Sequence, residues 1–147
     1  MKLPIFLAAL SLASTALADD MTKSSPLSVT ATIDGLVAAV EGAGATVFAR
    51  VDHAGGAAKV DMDLRPTQLL IFGNPKLGTP AMLDGQTAGL DLPLRVLVYA
   101  NDKGEVQVTY HAPADLAATH GLPGDAKYIA MMTGALDKLT SKAVAAE

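Results

Sequence analysis

The sequence predicts a single α+β domain, a two-layer sandwich in which a mostly antiparallel sheet of about four strands is covered by two main helices. Three observations predict it. Apolar residues recur at helical spacing near both ends of the chain, in residues 28–42 and 125–143. Between them lie short apolar runs at residues 45–53, 67–73, 92–101 and 105–111. The last two runs are joined by Asn101-Asp102-Lys103-Gly104, a turn signal that makes them an antiparallel hairpin, with Gly104 suited to positive φ. No repeat or low-complexity block divides residues 26–147, so one domain is expected there.

The elements follow in order. Residues 1–18 read as a signal peptide: Lys2, an apolar run, then small residues ending Ala16-Leu17-Ala18. Cleavage after Ala18 would deliver the chain to the periplasm or release it. The apolar run is shorter than the roughly 20 residues a membrane span needs, so no span is expected once it is removed. Residues 19–25 are polar and read as a flexible lead-in. Ser28 or Thr30 caps the first helix, where Ile33, Leu36, Val37 and Val40 share a face, and Gly42 and Gly44 end it. In residues 45–53, Val47, Ala49 and Val51 alternate with Phe48, Arg50 and Asp52, which predicts one apolar strand face that His53 shares. Residues 54–59 suit one helical turn. Residues 67–73 are apolar on both faces, as in a central strand. Residues 114–120 form a short helix stopped by Gly121. In the last helix Ile129, Met132, Leu136 and Leu139 make one face, and Lys138 and Lys142 complement its C-terminal dipole.

Composition excludes several functions. The net charge of −4 becomes −5 once Lys2 leaves with the signal peptide. That acidity argues against nucleic acid, whose binding calls for a basic patch. The chain has no Cys, so disulfides, thiol nucleophiles and covalent haem attachment are excluded. There is no Trp and little aromatic content, which disfavours a stacking platform for bases or sugars.

Four groups of residues carry a resemblance. They are Phe48 with Asp52-His53-Ala54, the block Phe72-Gly73-Asn74-Pro75-Lys76-Leu77-Gly78-Thr79-Pro80, the block Leu92-Pro93-Leu94-Arg95-Val96, and Tyr110 ahead of Pro113. Together they resemble the DUF302 family of small bacterial proteins, over residues 26–143. The resemblance implies a compact α+β fold with an antiparallel sheet and a homodimer. It implies no established activity.

The first long block has its own physics. Asn74 is a helix N-cap and Pro75 a first helical residue, a pattern that Thr79-Pro80 repeats. Pro80 should interrupt a helix begun at Pro75, leaving either two short turns or a helix with a tight 3₁₀ start. Backbone amides there, with Lys76 among them and Gly73 and Gly78 permitting close approach, would cradle a carboxylate or phosphate. The Gly-Lys-Ser/Thr ending of a P-loop is absent. Arg95 shares strand parity with Leu97 and Tyr99 and should pair with Asp91 or Asp52, or await an anion. His53, with Asp52 beside it, suits a general base or a ligand. His111 reads as solvated, and His120 as a dipole contact at a helix end. The three His lack metal-site spacing, and Asp61 and Asp63 read as a solvated edge, so no metal is expected. No cofactor is expected; the minor alternative is non-covalent haem between His53 and Met82.

The leading expectation is an exported, non-enzymatic domain that binds a small anionic or amphipathic ligand through His53, Asn74, Lys76, Gly78, Thr79 and Arg95. The competing expectation is a hydrolase-like enzyme with His53 and Asp52 as base and the amides of residues 74–79 as cradle. Both require His53, Asn74 and Arg95 to converge on one cavity. A third is a protein–protein interaction module that uses an apolar sheet face.

Overall fold

The apolar face formed by Ile33, Leu36 and Val40 is completely buried in the computed structural model, which describes residues 20–145. The expected signal peptide, residues 1–18, lies outside the described residues. Helix α1 spans Val29–Gly42, and the Ser28 hydroxyl accepts from the Ala31 amide at 3.1 Å to cap it. Helix α5, Lys127–Val144, lies beside it, and its Leu136, Leu139 and Ala143 join the same core.

These two helices cover one face of an antiparallel sheet. Its strands are β1 (Asp20–Ser25), β2 (Thr46–Asp52), β3 (Thr67–Gly73), β4 (Leu94–Ala100) and β5 (Val106–His111), in the order β1-β5-β4-β3-β2. Leu70 and Phe72 of β3, Val96 and Val98 of β4, and Val108 and Tyr110 of β5 face the helices. The α+β class therefore holds, with five strands in place of about four. Gly104 has φ 78° in the β4–β5 turn, and Gly121 has φ 66° at the end of the helix before α5, as their sequence positions require.

The additional strand is β1, which corrects the flexible lead-in expected for residues 19–25. Its polar sequence has no apolar alternation to announce it. It is held instead by polar partners across the strand pair: Thr22 to Thr109 at 2.7 Å and Asp20 to His111 at 2.7 Å. Lys23 crosses to α5, donating to Asp137 Oδ1 and Ser141 Oγ at 2.7 Å each. A short polar strand at a sheet edge also discourages pairing with other chains.

Strand β2 carries a second correction. Val47 pairs with Phe72, but Ala49 pairs with Ile71, so the register slips by one residue at Phe48. This bulge sends Val47 to the helix-covered face and turns Ala49 and Val51 to the opposite one. It also sends Arg50 to the helix side, where Nη1 meets Asp34 of α1 and Nε donates to Gln68 at 2.8 Å. Phe48 itself projects outward, 57 % exposed. On the face away from α1 and α5, Leu69, Ile71, Leu97 and Tyr99 are half-buried neighbours of Ala49 and Val51.

A second apolar cluster lies at the N-terminal half of α5. Ile129, Tyr128 and Met132 pack there with Ala81 of α3 (Pro75–Asp84), Leu116 and Ala117 of α4 (Pro113–His120), and Ala88 of a 3₁₀ turn, Gln86–Leu90. Helix α3 runs unbroken through Pro80, contrary to the expected interruption. Pro80 has no N–H for the carbonyl of Lys76, so one helical hydrogen bond is missing in the exposed first turn.

Candidate functional site

The segment from Asp91 to Arg95 separates two clefts that share Leu94 as a common wall. The first, a cavity of about 240 Å³, opens between α3 and residues 92–94. Phe48, Leu77, Met82, Leu92, Pro93 and Met132 give it an apolar lining, and Asn74 and Thr79 supply its polar edge. Pro93 and Phe48 flank the strand end closely: a Cβ on Gly73 would stand 3.4 Å from Pro93 and 3.5 Å from Phe48, at ordinary van der Waals contact.

Asn74 caps α3 as its sequence predicts, and this removes the expected anion cradle. Its Oδ1 accepts from the Lys76 amide at 2.9 Å, and its carbonyl accepts from the amides of Leu77 and Gly78 at 2.9 and 3.0 Å. Pro75 has no amide to offer. The amide donors of the first turn of α3 are thus satisfied internally, leaving none of these three for an anion. Lys76 is exposed and lines neither cleft, whereas Gly78 and Thr79 line the first.

The second cleft, about 250 Å³, lies beside β4, the end of β5 and α4. Leu94, Leu116 and Leu136 form its floor, and Arg95, His111, Asp115 and Thr119 its polar edge. Arg95 Nη2 donates to Asp91 Oδ1 at 2.9 Å, the structural pairing expected from sequence. Both side chains are nearly half exposed, so the pair adds little stability. His111 is exposed and pairs with Asp20.

His53, Asn74 and Arg95 do not converge. Asn74 lines the first cleft, Arg95 the second, and His53 neither. The reason is local: β2 ends at Asp52, whose carboxylate accepts from the Gly55 amide at 2.9 Å and caps the short helix α2, His53–Ala58. His53 is therefore an exposed first helical residue, not a core-facing strand residue. No hydrogen bond joins Asp52 to His53 among the described residues, so the expected base pair is not assembled. Met82 lines the first cleft without His53, and the two are not brought together as haem ligands.

His120, expected as a dipole contact at a helix end, makes two side-chain contacts that the sequence does not announce. Its side chain is 6 % exposed. Nε2 lies 2.7 Å from Asp91 Oδ2 and Nδ1 lies 3.1 Å from Thr87 Oγ1. A carboxylate only accepts, so Nε2 carries the proton; in the neutral ring Nδ1 then accepts from the Thr87 hydroxyl. The hydrogen bond from His120 is the chief cause holding the Asp91 carboxyl below its ordinary value; burial opposes it, and Arg95 adds to it. This chain of contacts ties the 3₁₀ turn and the start of β4 to the end of α4. The fit is close: a Cβ on Gly85 would meet the His120 carbonyl at 3.0 Å. Thr87 and Asp91 lie 33 and 29 residues from His120, so no local pattern could reveal the cluster.

A family model described as "Domain of unknown function DUF302" matches residues 21–139. The chain belongs to this family. A crystal structure of an uncharacterised conserved DUF302 protein from Bacillus stearothermophilus superposes with a TM-score of 0.76 at 18 % identity, covering 84 % of this chain and 97 % of that one, and shows the same fold. Among curated proteins, "Fluoride-specific ion channel FluC 1" of Brucella suis biovar 1 (strain 1330) is 45 % identical over 116 residues, covering 78 % of this chain and 46 % of that protein. The protein of the same name from Brucella abortus biovar 1 (strain 9-941) is equally identical, with 43 % of its length covered. This chain thus spans less than half the length of the curated relatives it matches. Among the described residues, no helix is long and apolar enough to cross a membrane.

Proposed function

We propose that this DUF302 protein is an exported binding domain for a small amphipathic molecule, held in the cleft between α3 and residues 92–94. One observation carries the reading: the two sequence blocks that mark the chain, residues 72–80 and 92–96, contribute much of the wall of one largely apolar cavity of about 240 Å³. A mostly apolar cleft with a few polar groups at its edge is the usual setting of a small-ligand site. The ligand's apolar body would lie against Phe48, Leu77 and Met82, with its polar end toward Asn74 and Thr79. The channel name of the Brucella relatives belongs to proteins more than twice the length of the matched region. We assign ion conduction to the remainder of those proteins and an extramembrane role to the region like this one. Export through residues 1–18, with release to the periplasm, accords with that role.

Cleft filling tests the reading. A Cβ on Gly78 would find only Leu92 at 3.8 Å, so a larger side chain there has room to enter the cavity. The unmodified protein should bind anilinonaphthalene sulfonate saturably, and Gly78→Leu should abolish this while leaving the fold intact. Lys76→Ala, outside the cleft, should change neither binding nor stability by more than about 0.5 kcal/mol. Equal probe binding by the unmodified protein and Gly78→Leu would overturn the proposal.

A second reading, self-association as a homodimer, is favoured by the half-buried apolar face that Leu69, Ile71, Leu97 and Tyr99 form away from the helices. Sedimentation equilibrium should then report a dimer that Leu97→Lys converts to a folded monomer.

A further inference from the structure

The geometry points to an uncharged ligand with a hydrogen-bond acceptor at its head, of the class of medium-chain carbonyl compounds, and to Asn74 as the residue that selects it. This rests on the cleft between α3 and residues 92–94 being the binding site, and names what that cleft takes. The cap fixes the chemistry of Asn74. The side-chain atom 2.9 Å from the Lys76 amide must be the carbonyl oxygen, because a backbone N–H only donates. The carboxamide therefore cannot turn over without losing the cap, which fixes its NH2 group as well. That group has no protein acceptor among the described residues, and Asn74 lines the cleft. Thr79, at the same edge, adds a hydroxyl that can also donate. The head that answers these donors is an acceptor. An ammonium group has no acceptor capacity and would set donor against donor.

Charge decides among the acceptors. Among the described residues, no charged side chain lines this cleft, and Lys76 lies outside it. A carboxylate head placed at Asn74 would give up water with no cation in return. It could keep its water only by drawing its chain back toward the mouth, losing apolar contact with each methylene withdrawn. A neutral carbonyl needs only one or two donors and costs far less to desolvate. Size sets the chain length. A dry cavity of about 150 Å³ holds benzene, so one of about 240 Å³ holds roughly nine or ten non-hydrogen atoms. A ketone with a six-carbon tail fits that volume, its tail against Leu77, Met82 and Met132 and its oxygen at Asn74.

Isothermal titration of the protein with 2-octanone, octanoate and octylamine at neutral pH tests the assignment. 2-Octanone should bind saturably, and the two charged analogues roughly tenfold or more weakly. Asn74→Asp keeps the cap, since Asp caps a helix as well as Asn does, but replaces the NH2 donor with a second carboxylate oxygen. It should weaken 2-octanone roughly tenfold, the loss expected for one hydrogen bond left unmade, and reverse the order so that octylamine binds more tightly than 2-octanone. Gly78→Leu should abolish binding of all three. The assignment is overturned if 2-octanone shows no saturable binding, if octanoate or octylamine matches it, or if Asn74→Asp keeps the original order. In each of these cases the cleft itself still stands when Gly78→Leu abolishes binding of anilinonaphthalene sulfonate. If 2-octanone binds Gly78→Leu as it binds the unmodified protein, the cleft and the assignment fall together. Should Asn74→Asp fail to fold, the order of the three ligands on the unmodified protein decides the matter.

Discussion

Phe72→Ala should destabilise the protein by about 3–5 kcal/mol, the usual cost of emptying a fully packed aromatic site. Phe72 is the largest of the fully buried side chains at 2 % exposure, flanked across the sheet by Val47 and Leu94 and covered by the helices. Single domains have only about 5–15 kcal/mol of stability in total, so the variant should sit near the edge of folding. Phe48→Ala is the informative comparison. Both residues belong to the sequence blocks that mark the family, yet the bulge puts Phe48 outside, 57 % exposed. Its truncation should cost under about 1 kcal/mol while weakening probe binding in the first cleft. Urea denaturation measures both. Equal losses of stability would mean that Phe48 is a core residue and that the register of β2 is wrong.

That contrast shows where sequence pattern runs out. Strand β3 is legible as a run apolar on both faces and the β4–β5 hairpin from its Asn101–Gly104 turn, whereas β2 is legible by alternation, because side chains alternate across a sheet. A bulge inserts one residue without disturbing the apolar-polar rhythm, so Val47, Ala49 and Val51 look like one face when they occupy two. Strand β1 has no rhythm at all; its partners, Thr109 and His111, lie 87 and 91 residues further along the sequence. The site divides in the same way. The Asn74 cap is a local signal and was read correctly, but its consequence was inverted. A cap that satisfies the first amides of α3 consumes the donors an anion would need. His120 gains its meaning from partners distant in sequence, which no single-chain spacing encodes.

His120→Ala should cost about 2–3 kcal/mol near neutral pH, and the loss should depend on pH in a defined direction. Two hydrogen bonds of a nearly buried ring disappear, each worth about 0.5–1.5 kcal/mol net, together with the packing of the ring. The pH dependence follows from Asp91. Its carboxyl is held below its ordinary value in the folded protein, chiefly by His120. The folded state thus binds the Asp91 proton less readily than the unfolded chain, whose Asp value is about 3.9. This contribution is fully present above that value and disappears as pH falls through the lower folded value. In His120→Ala the main cause of the shift is gone. The stability difference between the two proteins should therefore be largest above about pH 5 and should narrow as Asp91 takes up its proton. Asp91→Asn should remove the effect from the other side, leaving His120→Ala with no added acid dependence in that background. Urea midpoints across the acid range measure these differences. A constant gap would show that His120 acts by packing alone. Because Asp91 and Arg95 stand between the two clefts, the same titration can be followed through probe binding in the first cleft. Release of the clasp should loosen the Leu92–Leu94 wall and weaken that binding in parallel with stability.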